Sequence, residues 1–573
     1  MKAVVLLVIS LVVVSSCEMR LANQGGNPVH AISFRDVRGI TQDEINAIEA
    51  LQEQYRFFVY AMPASTEAFI DENGEINGFS ALACEWLTGI FGIPFIPAIH
   101  PFAEVLTGLE SGEIDFTGTM TPTEERRLIY FMTTPIARRT LKYFRLEGST
   151  PLIEIQASRP ARFALMAGSS VAANVISSLV PGTFEAVYIE SNSVVHDMLH
   201  SGEIDAFIHE NPTESIFDSY GDVIAKDFFP NIISPVSLTT QKPELAPVIS
   251  IVQKVLLSGG ADHLNILYYQ GFQRYRRHKF FSKLDDDEKT YVKNTAVVRY
   301  AAEHYNYPLS FYNRYDKEWQ GIFFDVLSEI GSVTGLSFEI ANDEHTNWPV
   351  LYQKLESGEA LIVSELLRSA DREDRFLWPE TILLYDRYAL ISSSGYHNVT
   401  ASEIWDITVG YGRNTAFAEQ FHRWYPNHEN AREFESSDAA FEALFRGEVD
   451  MVMSNERRLL TLINLHEVTE YKANFIFDFT TGTTMGIHKD HAALALIIDK
   501  ALSLVDVPWI AGRWLHRTFD YQGLAARQQR PWLIGSSFLL VMVIILLVIL
   551  FQRTYQGKKR LELSNIALET AVH

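Results

Sequence analysis

A sequence motif typical of a helix end occurs four times along this chain of 573 residues, and its spacing constrains the fold more than any other feature. The copies are LESGEID at 109–115, LHSGEID at 199–205, LESGEAL at 355–361 and FRGEVD at 445–450. The glycines of the first two copies are 90 residues apart and those of the last two are 89 apart, while corresponding glycines of the two pairs are separated by 246 and 245 residues. The chain therefore contains one large unit twice, and each unit has two similar halves.

The repeated ending also predicts local structure. An apolar residue closes a helix, glycine takes the left-handed conformation that stops it, and a short apolar strand follows. Helices that run into strands, repeated along a chain, are typical of an α/β sheet. The length is too great for a single core, so several domains are expected, each with an interior of its own.

The charge balance excludes one class of partner. The chain has 48 Lys and Arg against 71 Asp and Glu, which gives a formal net charge of −23. Such a surface repels the phosphates of nucleic acids, so we expect no nucleic-acid partner. No spacing of Cys and His is typical of a zinc site, and we expect neither a metal nor a cofactor.

The N-terminal segment 1–17 is predicted to be a signal peptide, because an apolar run of signal length follows Lys2. It ends in VSSC, which fits the lipobox of a bacterial lipoprotein with Cys17 lipidated; ordinary cleavage after small residues is the alternative. Cys84 is then the remaining thiol, and a lone cysteine makes no internal disulfide.

A second apolar segment, 532–551, is predicted to be a transmembrane helix. Its twenty residues carry no charge and are long enough to cross a hydrocarbon core of about 30 Å. Since the N-terminus is exported, residues before this helix lie outside the membrane and 552–573 lie in the cytoplasm. Within 552–573, Leu561, Asn565, Leu568 and Val572 have the a/d spacing of a coiled coil, which predicts a homodimer; an amphipathic tail is the alternative.

Aligning the two units by their glycines places Gly78 against Gly321 and Phe102 against Trp348. The first unit carries a glycine before a helix, then LESGEID, TMTPTEER at 119–126 and FMTTP at 131–135. These motifs resemble those of extracellular solute-binding proteins of the polar amino-acid type, and the second unit carries them in part. With a signal, two units and one membrane helix, the layout resembles the sensor half of bacterial tandem-flytrap histidine kinases.

The resemblance implies an α/β fold with two tandem bilobal flytrap domains of the type II periplasmic-binding class, followed by one transmembrane helix. The domains are expected at 45–280 and 297–525, joined by a linker at 281–296. It also implies a single-pass protein of the bacterial cytoplasmic membrane with extracytoplasmic ligand-binding domains.

Ligand residues are predicted in the first unit. A zwitterionic amino acid needs a guanidinium for its carboxylate and an acid for its ammonium, because either charge costs several kcal/mol when buried alone. The resemblance assigns the carboxylate to Arg126 and the ammonium to Glu210, and Glu67 stands where an aromatic residue usually stacks on the ligand. Hydroxyls that would complete the anion site are Thr119, Thr121, Ser169 and Ser170.

The second unit departs from this pattern. Arg372 keeps the register of Arg126, but Glu365 and Leu367 replace the two threonines and Asn455 stands in place of Glu210. Thr415 is kept as a hydroxyl. This unit either binds something other than an amino acid, or binds nothing and transmits motion.

Four functions are compatible with such domains. The first is a receptor that binds an amino acid-like solute and signals across the membrane to a kinase or cyclase. The second is a tethered component of an uptake system that works with a permease. An enzyme is not expected, because no nucleophile and base pair has a recognisable signature and no catalytic output domain such as a kinase follows in this sequence. A glutamate-receptor-like channel would need a pore segment, and 140–300 has no apolar run of that length.

Overall fold

The protein is described by a computed structural model over residues 33–314, 316–466, 470–516 and 521–572, with side chains left aside at 463–466, 521–534 and 566–572. The predicted signal segment and Cys17 lie outside the described residues. The chain divides into two units, Met1–Ser282 and Lys283–His573.

The first unit has alternating helices and strands. Its helices are α1 Gln42–Gln54, α2 Phe79–Phe91, α3 Phe102–Ser111, α4 Glu124–Arg127, α5 Leu152–Ser158, α6 Ser170–Ser178, α7 Val195–His200, α8 Ala246–Val255 and α9 Ala261–Ser282. Its strands are β1 Phe58–Met62, β2 Phe69–Ile70, β3 Ile76–Asn77, β4 Phe95–Ile99, β5 Thr117–Met120, β6 Phe131–Met132, β7 Ala137–Leu146, β8 Ala161–Met166, β9 Phe184–Ile189, β10 Ala206–Glu210, β11 Val223–Asp227 and β12 Ile233–Thr240.

Two lobes make up the first unit. Strands β1 and β4 pair in parallel, and the larger sheet has the order β5-β12-β7-β10-β8-β9. Antiparallel β7 and β12 run between the lobes, from Ile233 opposite Thr140 to Val236 opposite Ala137. We name residues 33–136 and 237–282 lobe 1A and residues 137–236 lobe 1B. Separate apolar cores fill them, one around Phe58 in lobe 1A and one around Phe207 in lobe 1B.

The second unit repeats this plan. Its helices are α10 Asp286–Asn294, α11 Ile322–Thr334, α12 Trp348–Ser357, α13 Ala416–Trp424, α14 Ser437–Phe445, α15 Arg458–His466, α16 Ala492–Leu502, α17 Val507–Leu515 and α18 Tyr521–Val572. Its strands are β13 Val297–Ala301, β14 Tyr305–Asn306, β15 Ser310–Asn313, β16 Glu318–Gln320, β17 Ser337–Ile340, β18 Ile362–Leu367, β19 Phe376–Leu377, β20 Leu384–Ser393, β21 Val409–Gly412, β22 Ala431–Phe434, β23 Met451–Asn455 and β24 Tyr471–His488.

The sheet of the second unit has the order β17-β13-β18-β24-β20-β23-β21-β22. Strands β20 and β24 pair along their length, from Leu384 opposite Thr483 to Ser393 opposite Tyr471, and join two lobes. We name residues 286–383 and 484–515 lobe 2A and residues 384–483 lobe 2B. The mixed α/β fold with bilobal units, expected from the sequence, is therefore confirmed.

The four repeated helix endings have the predicted conformation. Gly112, Gly202, Gly358 and Gly447 have φ angles between 69° and 82°, and a strand follows each of them. The aspartate of the motif has a structural role: Asp115, Asp205 and Asp450 accept the backbone N–H of Val59, Arg162 and Thr408 at 2.7 Å. Each carboxylate thereby ties the start of one strand to a neighbouring segment.

The predicted alignment of the two units matches their helices. Gly78 and Gly321 each precede a helix of 13 residues, and Phe102 and Trp348 each begin a helix of 10 residues. Much of the predicted linker 281–296 is helix α10, which starts with a capping box between Asp285 and Glu288. The buried Glu288 accepts a hydrogen bond from Lys500 on α16 at 2.7 Å, so α10 packs within the second unit.

Among the described residues, two helical segments are long and apolar enough to span a membrane. In Pro243–Ser282 the most apolar stretch is 44% buried inside the first unit, as is typical of core helices. Gly535–Asn565, part of α18, has a mean hydropathy of 2.6 and is not buried by the rest of the protein. It contains most of the predicted transmembrane segment, whose apolar side chains are exposed from Phe538 to Phe551.

Candidate ligand-binding sites

Three residues predicted for the ligand site of the first unit lie around an arginine that the sequence analysis missed. Arg139, on β7, donates to both carboxylate oxygens of Glu67 at 2.9 and 2.7 Å and to Glu210 at 2.8 Å. The hydroxyl of Thr119 accepts from the same guanidinium at 3.3 Å. Glu67 comes from lobe 1A and Glu210 from lobe 1B, so one guanidinium holds acids of both lobes.

This charge cluster is largely satisfied by the protein itself. Burial opposes the charge on Arg139, but Glu67 and Glu210 outweigh it and raise its pKa further. Burial likewise opposes ionisation of Glu210, but Arg139 and the hydroxyl of Ser234 lower its pKa below the usual value. A ligand ammonium at Glu210 would therefore share that carboxylate with Arg139.

The other predicted residues of the first unit do not join this cluster. Arg126 is half-buried and donates to the backbone carbonyl of Thr121 at 3.2 Å; among the described residues no carboxylate pairs with it. Ser169 caps α6 by accepting from the N–H of Ala172, and its hydroxyl donates to Met166. Ser170, the first residue of α6, is exposed.

A sequence signal for Arg139 was available in the alternation of β7. Ala137, Arg139 and Leu141 are buried while Arg138 is exposed, so period-two alternation puts Arg139 on the inner face. A buried arginine needs a carboxylate partner. The acid at Glu67, recognised as a departure from the family pattern, is that partner.

In the second unit, Arg372 is also bound by a residue that the sequence analysis did not identify. It is 1% exposed and donates from Nε and Nη2 to Glu419 on α13 at 3.0 and 2.8 Å. It also donates to the backbone carbonyl of Asn414 at 3.0 Å, and the indole of Trp348 donates to the same carbonyl at 2.9 Å. Arg372 and Trp348 belong to lobe 2A and their partners to lobe 2B, so these contacts hold the two lobes together.

A cavity of about 90 Å³ lies between the lobes of the second unit. Lobe 2A contributes Glu303, Asn306, Trp348, Glu365, Leu367 and Arg372, and lobe 2B contributes Thr415, Phe417, Ser437, Asp438, Asn455 and Arg458. The four residues predicted for this unit, Glu365, Arg372, Thr415 and Asn455, all line it. The roles of the predicted residues in both units stay predictions.

Three acidic residues, Glu303, Glu365 and Asp438, line this cavity. Burial, together with repulsion from Glu303, raises the pKa of Glu365 to about 8, even though Asn306 and Ser310 donate hydrogen bonds to it. Burial also raises the pKa of Asp438, against the attraction of Arg458, which donates to it at 2.9 Å. Burial opposes protonation of His304, but Glu303, with Nδ1 of His304 3.2 Å from its carboxylate, raises the pKa of that imidazole.

The two remaining predicted residues differ in what they offer a ligand. Thr415 caps α13: its hydroxyl donates to Gly412 and accepts from Ala418, so its polar contacts are local. Asn455 has a buried side-chain oxygen with no hydrogen-bond partner among the described residues. That oxygen is an acceptor available to a donor in the cavity.

A group that the sequence analysis overlooked lies in lobe 1B. His196 and His200 are four residues apart on α7, and the carboxylate of Asp222 accepts hydrogen bonds from their Nε2 atoms at 2.9 and 2.7 Å. The ligand atoms of the three side chains lie within 4.8 Å of one another. Sequence analysis predicted no metal site, because it considered only the Cys and His spacings of zinc domains and not a pair of histidines one helical turn apart.

Comparison with known proteins supports the fold of the first unit. Residues 60–260 match bacterial extracellular solute-binding proteins, family 3. No curated protein matches the chain in sequence. This match lies within the first unit, whose motifs carry the resemblance to extracellular solute-binding proteins.

Several solved structures are similar to the chain. The periplasmic domain of BvgS from B. pertussis is 18% identical, covering 88% of this chain and 98% of its own, with a TM-score of 0.42. A structure described as VC protein is 18% identical, covering 80% and 100%, with a TM-score of 0.46. ArtJ from Geobacillus stearothermophilus, an arginine-, lysine- and histidine-binding protein, is 16% identical, covering 40% and 99%, with a TM-score of 0.35.

Proposed function

We propose, from the premise that the first unit resembles the family 3 solute-binding proteins, that the chain is a membrane-anchored extracytoplasmic receptor for small solutes. The observation that carries the proposal is the cavity of the second unit, lined by both lobes on either side of paired β20 and β24. A solute that contacts both lobes favours the conformation in which they are close, and so shifts the population of closed protein. Helix α18, which follows lobe 2A along the chain, carries that shift across the membrane.

The first unit has a separate proposed role. Arg126 has no carboxylate partner among the described residues and is the proposed binding group for the carboxylate of an amino acid-like ligand. Arg139 already neutralises Glu210, so the ammonium of such a ligand gains less there than in a site with a free acid. We propose that the lobes of the first unit are held close by Arg139 and that its ligand adds to this closure.

The proposed orientation of the receptor rests on the predicted signal segment at the N-terminus. Residues before α18 are proposed to lie outside the bacterial cytoplasmic membrane, and the end of α18 to lie in the cytoplasm. A homodimer joined through this end would transmit the conformational change to a partner kinase or cyclase. A tethered component of an uptake system remains the alternative outcome of the tests below.

The receptor proposal is tested with the full chain in lipid nanodiscs. Its unfolding temperature is measured with each member of a library of small solutes. The same library is applied to Ser437→Trp and Leu367→Trp, which fill the cavity from lobe 2B and lobe 2A respectively. A solute at a hundred times its Kd stabilises the folded protein by about 2.7 kcal/mol.

We expect at least one solute to raise the unfolding temperature of the wild type and to leave that of both variants unchanged. Each variant must first unfold, without solute, close to the wild-type temperature. If every solute acts equally on all three proteins, or none acts at all, the cavity is not a solute site and the proposal fails.

A further inference from the structure

The cavity of the second unit has lost the free guanidinium that would bind a carboxylate. Glu419 accepts from Arg372 at 2.8 Å through the same kind of carboxylate contact that a ligand would make, and Ser369 donates to the other oxygen of Glu419 at 2.8 Å. A ligand carboxylate would have to compete with this internal one. It would also enter a space that Glu303 lines, where the negative charge of that carboxylate repels it.

What the cavity offers a ligand instead includes carboxylate and amide acceptors. Arg458, the second arginine of the lining, donates from its two Nη atoms to Asp438 and to the backbone carbonyl of Tyr305 at 2.7 Å, while its buried Nε has no hydrogen-bond partner among the described residues. Glu303 has only the imidazole of His304 as a cationic neighbour within 4 Å among the described residues. Glu365 accepts from two neutral donors, and the oxygen of Asn455 accepts from none of the described groups.

The volume sets the size of the occupant. A cavity needs roughly 10–15 Å³ to hold one water molecule, so a space of about 90 Å³ has room for several water-sized groups. That is the size of a small organic molecule with a similar number of heavy atoms.

We propose that the second unit binds a small organic cation, an amine or amidine without a carboxylate, whose N–H groups donate to Glu365, Glu303 and Asn455. The inference rests on the proposed function, since it names the solute class for the same cavity. The replacement of the family's threonine by Glu365 and the occupation of Arg372 by Glu419 together turn an anion site into a cation site.

Binding is expected to release a proton. At neutral pH the carboxyl of Glu365 is largely protonated, because burial and Glu303 raise its pKa to about 8. The charged groups around it are Glu303 and His304 after β13, Asp438 on α14, Arg458 on α15 and the Arg372–Glu419 pair. An incoming cation stabilises ionised Glu365, and the displaced proton passes to the buffer.

The test uses pairs of solutes that differ only in the carboxylate: arginine with agmatine, histidine with histamine, and ornithine with putrescine. Titration calorimetry of the full chain in nanodiscs is run in buffers of different ionisation enthalpy, which reports protons released. We expect at least one amine to bind tenfold or more tightly than its amino acid, with proton release at pH 7. Glu365→Gln should lower the affinity for that amine at least tenfold and abolish the proton release. Ser437→Trp should prevent the amine from binding in the cavity.

Two results overturn the inference and differ from failure of the proposed function. An amino acid that binds in the cavity more tightly than its amine leaves the receptor proposal standing and refutes the cation. A neutral or anionic solute that binds in the cavity, when none of the amines binds, likewise refutes the cation and leaves the receptor proposal standing. If no solute of any charge distinguishes the wild type from the cavity-filled variants, the proposed function itself fails.

A second and independent observation concerns the cluster of His196, His200 and Asp222. A divalent transition metal takes imidazole nitrogens and carboxylate oxygens at about 2.0–2.2 Å, and two histidines at i and i+4 on one helix face are well placed for it. The carboxylate already lies within 2.9 Å of both Nε2 atoms, and His196 is held against the ring of Tyr220 with centroids 3.8 Å apart. His196 is mostly buried, with 17% of its side chain exposed, whereas Asp222 and His200 are open to solvent.

We infer that this cluster is a binding site for Zn²⁺ or a similar divalent transition metal, with three protein ligands and a position open to water. The ion would replace the hydrogen bonds between the carboxylate and the two imidazoles, and would tie α7 to the turn before β11. The proposal is separate from the solute cavity, which lies in the other unit.

The test is a titration of the full chain with Co²⁺, followed by its visible absorption, and with Zn²⁺ in competition. We expect one site whose affinity falls at least tenfold in His200→Ala and in Asp222→Asn. His263→Ala, a change elsewhere in the first unit, is the matched control and should keep wild-type affinity. Equal affinity in all four proteins would show an adventitious ion only and overturn the site.

Discussion

Arg139 is the residue on which the two lobes of the first unit depend most. Its guanidinium is the only cation within 4 Å of the buried Glu67 among the described residues, and it also neutralises Glu210. Removing one partner of a buried ion pair costs about 3–5 kcal/mol, because it leaves a charge buried without compensation. In this cluster two carboxylates would be left.

We therefore expect Arg139→Met to lower the free energy of unfolding of the first unit by about 3–5 kcal/mol. Arg138→Met is the matched control: the same change one position along the strand, on the exposed face, should cost under about 0.5 kcal/mol. Denaturant unfolding of the full chain, followed by proteolysis within lobe 1B, measures both. Equal effects of the two changes would mean that the cluster does not stabilise the lobes.

A second residue-scale prediction concerns pH. The pKa of Glu365 is raised to about 8, above its value in the unfolded chain, so the folded protein holds a proton that the unfolded chain has lost. Its contribution is therefore fully present below about pH 4 and is lost as the pH rises through about 8. Asp386, whose pKa burial raises to about 7, acts in the same direction.

We expect the unfolding temperature of the ligand-free protein to fall between about pH 5 and pH 8, and to fall less in Glu365→Gln. Glu435→Gln, at an exposed glutamate of the same unit, is the control and should retain the wild-type slope. Differential scanning calorimetry across this range measures the slopes. A Glu365→Gln protein with an unchanged slope would contradict the raised pKa.

At the scale of elements, the repeated helix ending shows what pattern alone could predict. The left-handed glycine at each helix end and the strand after it follow from local chemistry. For that reason the conformation of all four copies could be predicted from the sequence. The same chemistry gave the equivalence of α3 with α12 and of α2 with α11. Local rules sufficed because each element is fixed by residues within a few positions of it.

The candidate sites depended on contacts between distant residues, and here prediction was incomplete. Arg139 is 72 residues from Glu67, and Glu419 is 47 residues from Arg372. Nothing local indicates that Glu67 pairs with Arg139, or that Glu419 takes the guanidinium of Arg372, which keeps the register of the predicted ligand arginine Arg126. The four predicted residues of the second unit line its cavity, and Glu67, Thr119 and Glu210 meet at Arg139, but which groups are left free to bind a ligand could be read only from the folded structure.

The aspartate of the repeated motif yields an element-scale prediction. Asp450 accepts the N–H of Thr408 at 2.7 Å, whereas the third copy of the motif has Leu361 at this position. Asp450→Ala should destabilise the second unit by about 1–3 kcal/mol, the cost of a backbone N–H left without its acceptor. Asp371→Ala, at an exposed surface pair, should cost under about 0.5 kcal/mol in the same denaturant titration. Equal losses would remove the structural role assigned to the motif aspartate.

At the scale of the whole molecule, the receptor proposal requires that the end of α18 be paired. Leu561 is 68% exposed and Leu563 is 60% exposed in the single chain, so pairing alone can bury either of them. The a/d spacing of Leu561, Asn565, Leu568 and Val572 selects the face with Leu561, and a single Asn at an a position favours two strands in register. An uptake component has no such requirement, because its binding domain works with a separate permease.

Single cysteines distinguish the two accounts in the full chain within membranes. Leu561→Cys and Leu568→Cys should form disulfides between chains more readily than Leu563→Cys and Thr570→Cys, which lie off the predicted face. The parent chain without an added cysteine is the control, since Cys84 is buried and burial raises the pKa of its thiol. If a solute that binds the cavity also changes the ratio of crosslinking between the two faces, lobe closure alters the packing of the cytoplasmic end of α18. Equal crosslinking at all four positions, unchanged by solute, would remove the paired helix and leave the tethered binding protein as the better account.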